Sequence, residues 1–205
     1  MDILLTAATE MEISPFREAF FRKNNVSFLV TGVGMVSTAY ELARHFSTNR
    51  YDLAVNVGLA GSFDRSIPIG EVVRVIEDIF SELGAEDGDQ FLSISHLGLE
   101  ATNILVNVDD FRPQALKHFR SVRSITVNTV HGRESTIEEV VSRLNPQTES
   151  MEGAAFFYVC GRENIPSLQL RAISNYMERR NKLAWDIPLA MKNLKQEVVA
   201  LIERL

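Results

Sequence analysis

The hydrophobic residues of this chain form short apolar runs that alternate with longer amphipathic segments. The short runs are rich in β-branched residues and apolar on both faces, which predicts strands buried in a mixed or parallel sheet covered by helices. The predicted strands span residues 3–8, 28–31, 53–57, 72–76, 125–130 and 168–174. The amphipathic segments predict helices over 36–47, 113–119, 135–144, 153–163 and 183–205.

This alternation of strands and helices predicts an α/β fold, a three-layer α/β/α sandwich around a central twisted sheet. Ser135, followed by Glu138, has the spacing of a capping box and predicts the start of the third helix. The acidic, glycine-containing segment 81–90 is predicted to be an exposed loop. No linker-like segment divides the 205 residues, so we expect a single domain over 1–205. Ligands of such folds bind beyond the carboxyl ends of the strands.

Composition narrows the range of functions. Hydrophobic residues make up 45% of the chain and the net charge is −6, which is typical of a globular protein and disfavours a nucleic-acid partner. Cys160 is the single cysteine, and Glu10 and Glu12 interrupt the apolar start, so we expect a cytoplasmic protein without a targeting or membrane-spanning segment. The histidines have no metal-ligand spacing, and we expect neither metal nor cofactor; they are His45, His96, His118 and His131.

Two carboxylates follow the first predicted strand, in the segment 6-TAATEMEI-13. Glu10 and Glu12 fit the start of a helix, where negative charge is favourable. They equally fit a strand end at which a carboxylate activates water as a general base.

Two glycine-containing segments follow predicted strands, 31-TGVGMVST-38 and 56-NVGLAGSF-63. The first lacks the third glycine of a dinucleotide fingerprint. Each segment is either a tight turn or a place where the backbone approaches a ligand closely. The candidate contacts are Gly34, Leu59, Ala60 and Gly61.

Polar residues also stand at the edges of two later apolar segments. Met151 and Glu152 precede the helix predicted over 153–163, where Glu152 could bind the helix amides or accept hydrogen bonds from the vicinal hydroxyls of a sugar. Ser174 and Asn175 end the last predicted strand, where the neutral amide is either a turn residue or a reader of a particular chemical group.

Taken in order, ATEMEI, GVGMVST, NVGLAGSF, IPIGEVV, SMEGAAFF and RAISNYME resemble the nucleoside phosphorylase and nucleosidase superfamily, from about residue 3 to 185. The resemblance is greatest to the hydrolase branch that includes methylthioadenosine/S-adenosylhomocysteine nucleosidase. It implies that the chain has a nucleoside phosphorylase-like fold and forms a homodimer or larger assembly. It also implies that Glu12 activates water and that Met151 and Glu152 bind the ribose.

Asn175 lies where adenine-specific members of the family carry an aspartate that protonates purine N7. Adenine presents an acceptor at N7 and a donor at its amino group, whereas a 6-oxopurine presents acceptors at both N7 and O6. Because an amide NH₂ can donate to either atom, Asn175 predicts a 6-oxopurine base. The acidic segment TEMEIS, which contains no arginine, favours water over phosphate as the nucleophile.

The segments 126-TVNTVHG-132 and 175-NYMERRNKLAWDI-187 resemble the futalosine hydrolase subfamily, whose substrate is an inosine-like nucleoside with a carboxyphenyl extension. The resemblance implies a purine edge read near Asn128, Thr129 and Val130. Candidate walls for the extension are Phe63, Phe91, Tyr176 and Trp185, and candidate partners of its carboxylate are Arg179, Arg180 and His131. These aromatic residues equally fit a core, and the arginines equally fit a solvated surface.

Three alternatives to a futalosine hydrolase stay open at this point. A methylthioadenosine nucleosidase and an inosine hydrolase or phosphorylase are the enzymatic ones. A nucleoside-binding module without catalysis is the third, and the role of Glu12 separates it from the enzymes.

Overall fold

The computed structural model describes residues 1–99, 102, 104–106 and 114–205. Its strands are β1 Ile3–Ala7, β2 Val26–Val30, β3 Leu53–Ser62, β4 Val72–Phe80, β5 Gly84–Asp87, β6 Gln90–Ser93, β7 Ile104–Val106, β8 Arg120–Thr126, β9 Thr148–Ser150 and β10 Ser167–Tyr176. Its α-helices are α1 Glu10–Ala19, α2 Met35–Phe46, α3 Glu134–Leu144, α4 Gly153–Glu163 and α5 Ile187–Ile202, and two 3₁₀ turns span Gln114–Leu116 and Lys182–Ala184. None of the helices in these ranges is long and apolar enough to cross a membrane.

Helices cover both faces of the central sheet, which confirms the predicted α/β sandwich. On β1, Ile3 and Leu5 pack into the core under α1 and α5, whereas Leu4 packs into the core under α2 and α4. This alternation follows from the two-residue period of a strand. It also explains why the strand sequences are apolar throughout, since each face needs its own row of hydrophobic side chains.

Five strands pair in a closed circuit. β3 pairs with β10 in parallel, β10 with β4 antiparallel, β4 with β8 in parallel, β8 with β9 in parallel, and β9 with β3 antiparallel. β1 and β2 extend the sheet from β3, and β7 adds to β4. The circuit brings the carboxyl ends of β3, β8 and β10 close together.

Several predicted boundaries were wrong. β8 ends at Thr126, so residues 127–130 form a loop and not the end of a strand. The helix predicted over 113–119 is only the 3₁₀ turn Gln114–Leu116; Pro113 lies outside the described residues. The last helix begins at Ile187, not at 183, because the Asp186 side chain caps it and Pro188 occupies its first turn.

The predicted capping box at Ser135 is also wrong. α3 begins one residue earlier, its N-cap is Arg133, and no side chain caps it. The capping box lies instead at the start of α1, a helix missing from the prediction, where Thr9 and Glu12 bind each other's backbone amides. Thr9 has the extended backbone conformation that an N-cap requires, whereas Ser135 is already helical.

The segment 81–90 is not a loop, because it contains β5 and the first residue of β6, which pair as a hairpin. Gly84 permits this pairing: a Cβ there would lie 2.2 Å from the carbonyl oxygen of Leu92. The guanidinium of Arg143 packs over the ring of Phe91, 3.9 Å from its centroid. The hairpin is therefore stabilised by a contact with α3, which is distant from it in the sequence.

Candidate active site

Glu12 is held by the first turn of α1, and its carboxylate reaches β3. Its Oε2 accepts hydrogen bonds from the Thr9 amide (3.1 Å) and hydroxyl (2.7 Å), and its Oε1 accepts one from the Leu59 amide (3.4 Å). Only 9% of the residue is exposed. The capping box thus fixes this carboxylate at the carboxyl end of the parallel strands, where ligands of α/β sheets bind.

Gly34 and Glu152 connect the start of α2 with the start of α4. The Gly34 amide donates to Oε1 of Glu152 over 2.9 Å, and Gly34 has a φ of +92°, a conformation that favours glycine. Burial, together with the nearby charge of Glu12, raises the pKa of Glu152, while the Gly34 amide and Arg171 oppose that rise. The two carboxylates are therefore close enough to influence each other.

Arg171 lies in the middle of β10, within electrostatic reach of both carboxylates, and the sequence patterns did not indicate it. It is 2% exposed; its guanidinium donates to the Asn56 side chain and, over 3.3 Å, to the Leu170 carbonyl. A Cβ on Gly58 would lie 3.1 Å from Glu12 Oε1 and 3.5 Å from Arg171 Nη1. Gly58 therefore leaves the space in which the Glu12 carboxylate and the Arg171 guanidinium approach each other.

A second group of buried polar side chains lies beneath α4. Asp78 is fully buried and accepts hydrogen bonds from Thr126 (2.8 Å) and Gln169 (3.1 Å). The hydroxyl of Thr126 in turn accepts the Ala154 amide over 2.8 Å, so this chain of bonds anchors the first turn of α4. Glu152 is the N-cap of that helix, so the same hydrogen bonds help to fix the position of its backbone.

The carboxyl of Asp78 should make stability depend on pH. Burial raises its pKa from 3.8 to about 6. Because the folded state holds the proton more tightly, the stabilisation is fully present below about pH 4 and is lost as pH rises through about 6. We expect the free energy of unfolding, relative to Asp78→Asn, to fall by about 3 kcal/mol across that window. Urea unfolding at several pH values measures this; Asp89→Asn, at an exposed carboxylate, is the control.

Gly153 should tolerate no side chain. A Cβ there would lie 2.2 Å from Asp78 Oδ2 and 2.3 Å from Gln169 Oε1, both of which are buried. We expect Gly153→Ala to destabilise the fold by about 1–3 kcal/mol through overpacking. Gly161 lies on the same helix with no atom within 4 Å of its Cβ position, so Gly161→Ala should leave stability unchanged or raise it by up to about 1 kcal/mol. Equal unfolding midpoints for the two variants would contradict this.

Asn175 lies at the end of β10, and its neighbours fix the orientation of its amide. Oδ1 accepts the Ser174 hydroxyl over 2.8 Å, and Nδ2 donates to the Tyr176 carbonyl over 3.2 Å. Since a carbonyl oxygen only accepts, the NH₂ group must be on that side, and its second hydrogen stays available. Ala60, Gly61 and Met177 line the same end of the sheet, where Gly61 leaves room for the Met177 thioether.

The loop after β8 carries Asn128, Thr129 and Val130, and all three are exposed. Glu82 holds the loop at one end, because it accepts the Asn128 amide and, over 2.9 Å, its side-chain NH₂. Glu149 holds it at the other end through His131. Two carboxylates, Glu82 and Glu149, therefore hold the loop for which purine contacts are predicted. Neither was assigned a role from the sequence.

Two of the predicted aromatic walls, Tyr176 and Trp185, contact different parts of the structure. Tyr176 donates its hydroxyl to the Ile67 carbonyl over 3.2 Å, and its ring lies under Arg65. The guanidinium of Arg180 lies over the ring of Trp185, 5.3 Å from the ring centroid. The backbone amide of the next residue, Asp186, donates a hydrogen bond to the Ser174 carbonyl over 2.9 Å. Trp185 is thus held near the end of β10 through the backbone of its neighbour Asp186.

Two other predicted residues pack against apolar side chains. Phe63 and Met151 lie against the small core under α3. No cluster of three or more His, Cys, Asp or Glu with metal-binding geometry occurs in the ranges described above.

Glu12, Arg171 and Asn175 thus all lie along the paired strands β3 and β10, next to residues 58–61. Residues 7–204 match the family model described as the phosphorylase superfamily. The chain belongs to that superfamily. This confirms the resemblance seen in the sequence motifs.

The phosphorylase superfamily includes relatives with named activities. A futalosine hydrolase from Acidothermus cellulolyticus is 30% identical over 84% of this chain and 73% of its own length. Two Helicobacter pylori structures, a futalosine hydrolase and a 5′-methylthioadenosine/S-adenosylhomocysteine nucleosidase, each superpose with a TM-score of 0.87 at 16% identity. Both superpositions cover all of this chain, together with 98% of the futalosine hydrolase chain and 99% of the nucleosidase chain. At 16% identity, these likenesses show the fold alone.

Proposed function

We propose that this protein hydrolyses the N-glycosidic bond of futalosine to hypoxanthine and dehypoxanthine futalosine, a step of the alternative menaquinone pathway. The observation that carries the choice of base is the orientation of Asn175, whose free N–H can donate to an acceptor of a 6-oxopurine. The futalosine hydrolase relative from Acidothermus cellulolyticus supports the same substrate.

In this proposal Glu12 is the general base. Its fixed carboxylate takes a proton from a water molecule, whose oxygen then bonds to C1′ of the ribose. Arg171 lies on the other side of Gly58 and balances the charge of Glu12 and Glu152 in the buried site. Glu152 accepts the ribose hydroxyls, and the Gly34 amide keeps its carboxylate in place.

Water is favoured over phosphate by the charges of the site. Glu12 and Glu152 lie close to Arg171, which is also influenced by the charge of Asp78. An anionic nucleophile would meet more negative than positive charge there, whereas a neutral water molecule would not.

We assign the 5′ extension of futalosine to Trp185 and Arg180. Their stacked arrangement offers an aromatic surface and a cation to the carboxyphenyl group. His131 is already paired with Glu149, and Arg65 with Glu178, so neither is as free to bind a carboxylate.

We also propose that residues 1–205 act as one cytoplasmic nucleosidase domain in a homodimer or larger assembly. Large apolar side chains are exposed on the α2 and α4 surface: Val36 is 80% exposed, Tyr40 64% and Tyr158 42%. A second copy of the chain would bury them. Light scattering after size-exclusion chromatography tests the assembly.

A product assay tests the function. Futalosine, inosine and 5′-methylthioadenosine are incubated in parallel, with and without phosphate, and the released base is identified by chromatography. We expect hypoxanthine from futalosine at a rate independent of phosphate. Comparable rates with inosine, phosphate-dependent turnover, or preferred release of adenine would each overturn the proposal.

A further inference from the structure

Glu149 and His131 form a buried ion pair for which the proposed mechanism has no role. Glu149 is 3% exposed; its Oε1 accepts the His131 amide over 2.9 Å, and its Oε2 contacts Nδ1 of the ring. His131 directly follows the loop residues 128–130. The pair thus joins the loop to β9, three residues before Glu152.

The surroundings of His131 favour the charged ring. The hydrogen bond that the ring donates to Glu149 raises the pKa of His131, and the charge of Glu82 adds to this rise, while burial and Arg143 oppose it. Because Nδ1 faces Glu149, the remaining donor is Nε2–H, and no residue in the described part of the chain hydrogen-bonds to it. The His131 side chain is 17% exposed, so it is only partly buried, unlike that of Glu149.

The sheet places this pair on the same side as Asn175. Glu149 and Asn175 pair with the same residue, Gly61, from opposite sides. Paired residues project to one face, and the backbones at these two positions lie about two strand spacings, or roughly 10 Å, apart. The thioether of Met177 lies between them, over Gly61. A purine that contacts Asn175 would lie over this sulfur, on the same face of the sheet as Glu149 and His131.

We propose that His131, oriented by Glu149, donates Nε2–H to O6 of the leaving purine and stabilises the negative charge that the base acquires. This inference rests on the proposed function. When the C1′–N9 bond breaks, its electron pair stays on the purine, water supplies oxygen to C1′, and Glu12 takes the water proton. His131 keeps its proton, and the purine anion is protonated by solvent. Asn175 is neutral, so His131 supplies the positive charge that the leaving base needs.

The test compares His131→Asn with wild type on futalosine and on its 6-amino analogue. We expect kcat/KM for futalosine to fall about thirtyfold, as on losing one charged hydrogen bond, and for the analogue to change less than about threefold, because an amino group accepts no such bond. His118→Asn is the matched control, since His118 forms an exposed pair with Glu197 at 2.9 Å. It should leave both substrates unaffected.

A pH profile separates this role from a structural one. Wild-type kcat/KM for futalosine should decline as pH rises through the raised pKa of His131, and Glu149→Gln should move that decline to lower pH. An unmoved profile, or an equal loss on both substrates with His131→Asn, would overturn the inference. If His131→Asn does not fold, the Glu149→Gln profile still decides. Absence of wild-type futalosine cleavage would instead refute the proposed function.

Discussion

Glu12→Gln should lower kcat for futalosine by a factor of about 10² to 10⁴, because an amide cannot take the proton of the attacking water. The substitution preserves the size of the side chain, and glutamine can also complete a capping box, so the start of α1 should stay intact. Substrate dissociation constants from calorimetry and single-turnover rates from product release measure the two effects separately. Binding should stay within about threefold of wild type.

Glu10 provides the matched control for Glu12. It lies in the same turn of α1, but it is exposed and pairs with Arg17 at 3.2 Å. Glu10→Gln should leave kcat unchanged. A Glu12→Gln enzyme as active as its parent would show that Glu12 is not the base.

Asn175→Asp should lower kcat/KM for futalosine about a hundredfold, because an ionised carboxylate repels the O6 and N7 lone pairs of a 6-oxopurine. It should raise kcat/KM for the 6-amino analogue, whose amino group a carboxylate can accept. The Tyr176 carbonyl, which accepts a hydrogen bond from the amide in the wild type, would have no donor in the ionised carboxylate. Steady-state kinetics on both substrates measure the change.

Asn175→Ala supplies the comparison, since it removes the amide without adding a carboxyl group. It should weaken both reactions and leave their ratio nearer to unity than in wild type. If Asn175→Asp keeps full futalosine activity, and the wild type already cleaves adenine nucleosides well, Asn175 does not read the base.

The sequence predicted the layers and helix α4 well because those features depend on local patterns. α4 begins and ends at the predicted residues, since its apolar segment stands between Glu152 and an asparagine, Asn164, in a left-handed conformation. Glu12 and Glu152, 140 positions apart, were assigned to one site by family resemblance. The structure places them within electrostatic reach of each other, while their roles stay predictions.

Features that depend on distant contacts could not be predicted in this way. The Ser135 capping box and the 81–90 loop were wrong because a short motif does not show which residues tertiary contacts order. Arg171 and Glu149 were missed although each carries a signal: a charged residue within an otherwise buried strand needs a partner. Identifying that partner requires the pairing of β10 with β3 and of β9 with both β3 and β8.

The closed circuit of five strands has a consequence for synthesis on the ribosome. β10 inserts between β3 and β4, although more than ninety residues follow β3 before β10 is made. Until Ser167–Tyr176 leaves the ribosomal tunnel, β3 and β4 each present an unpaired apolar edge. Such edges are templates for aggregation, so we expect the nascent chain to be most prone to misassembly over this interval. Arg171 and Asn175 both belong to β10. The candidate site therefore forms only when β10 pairs with β3 and β4.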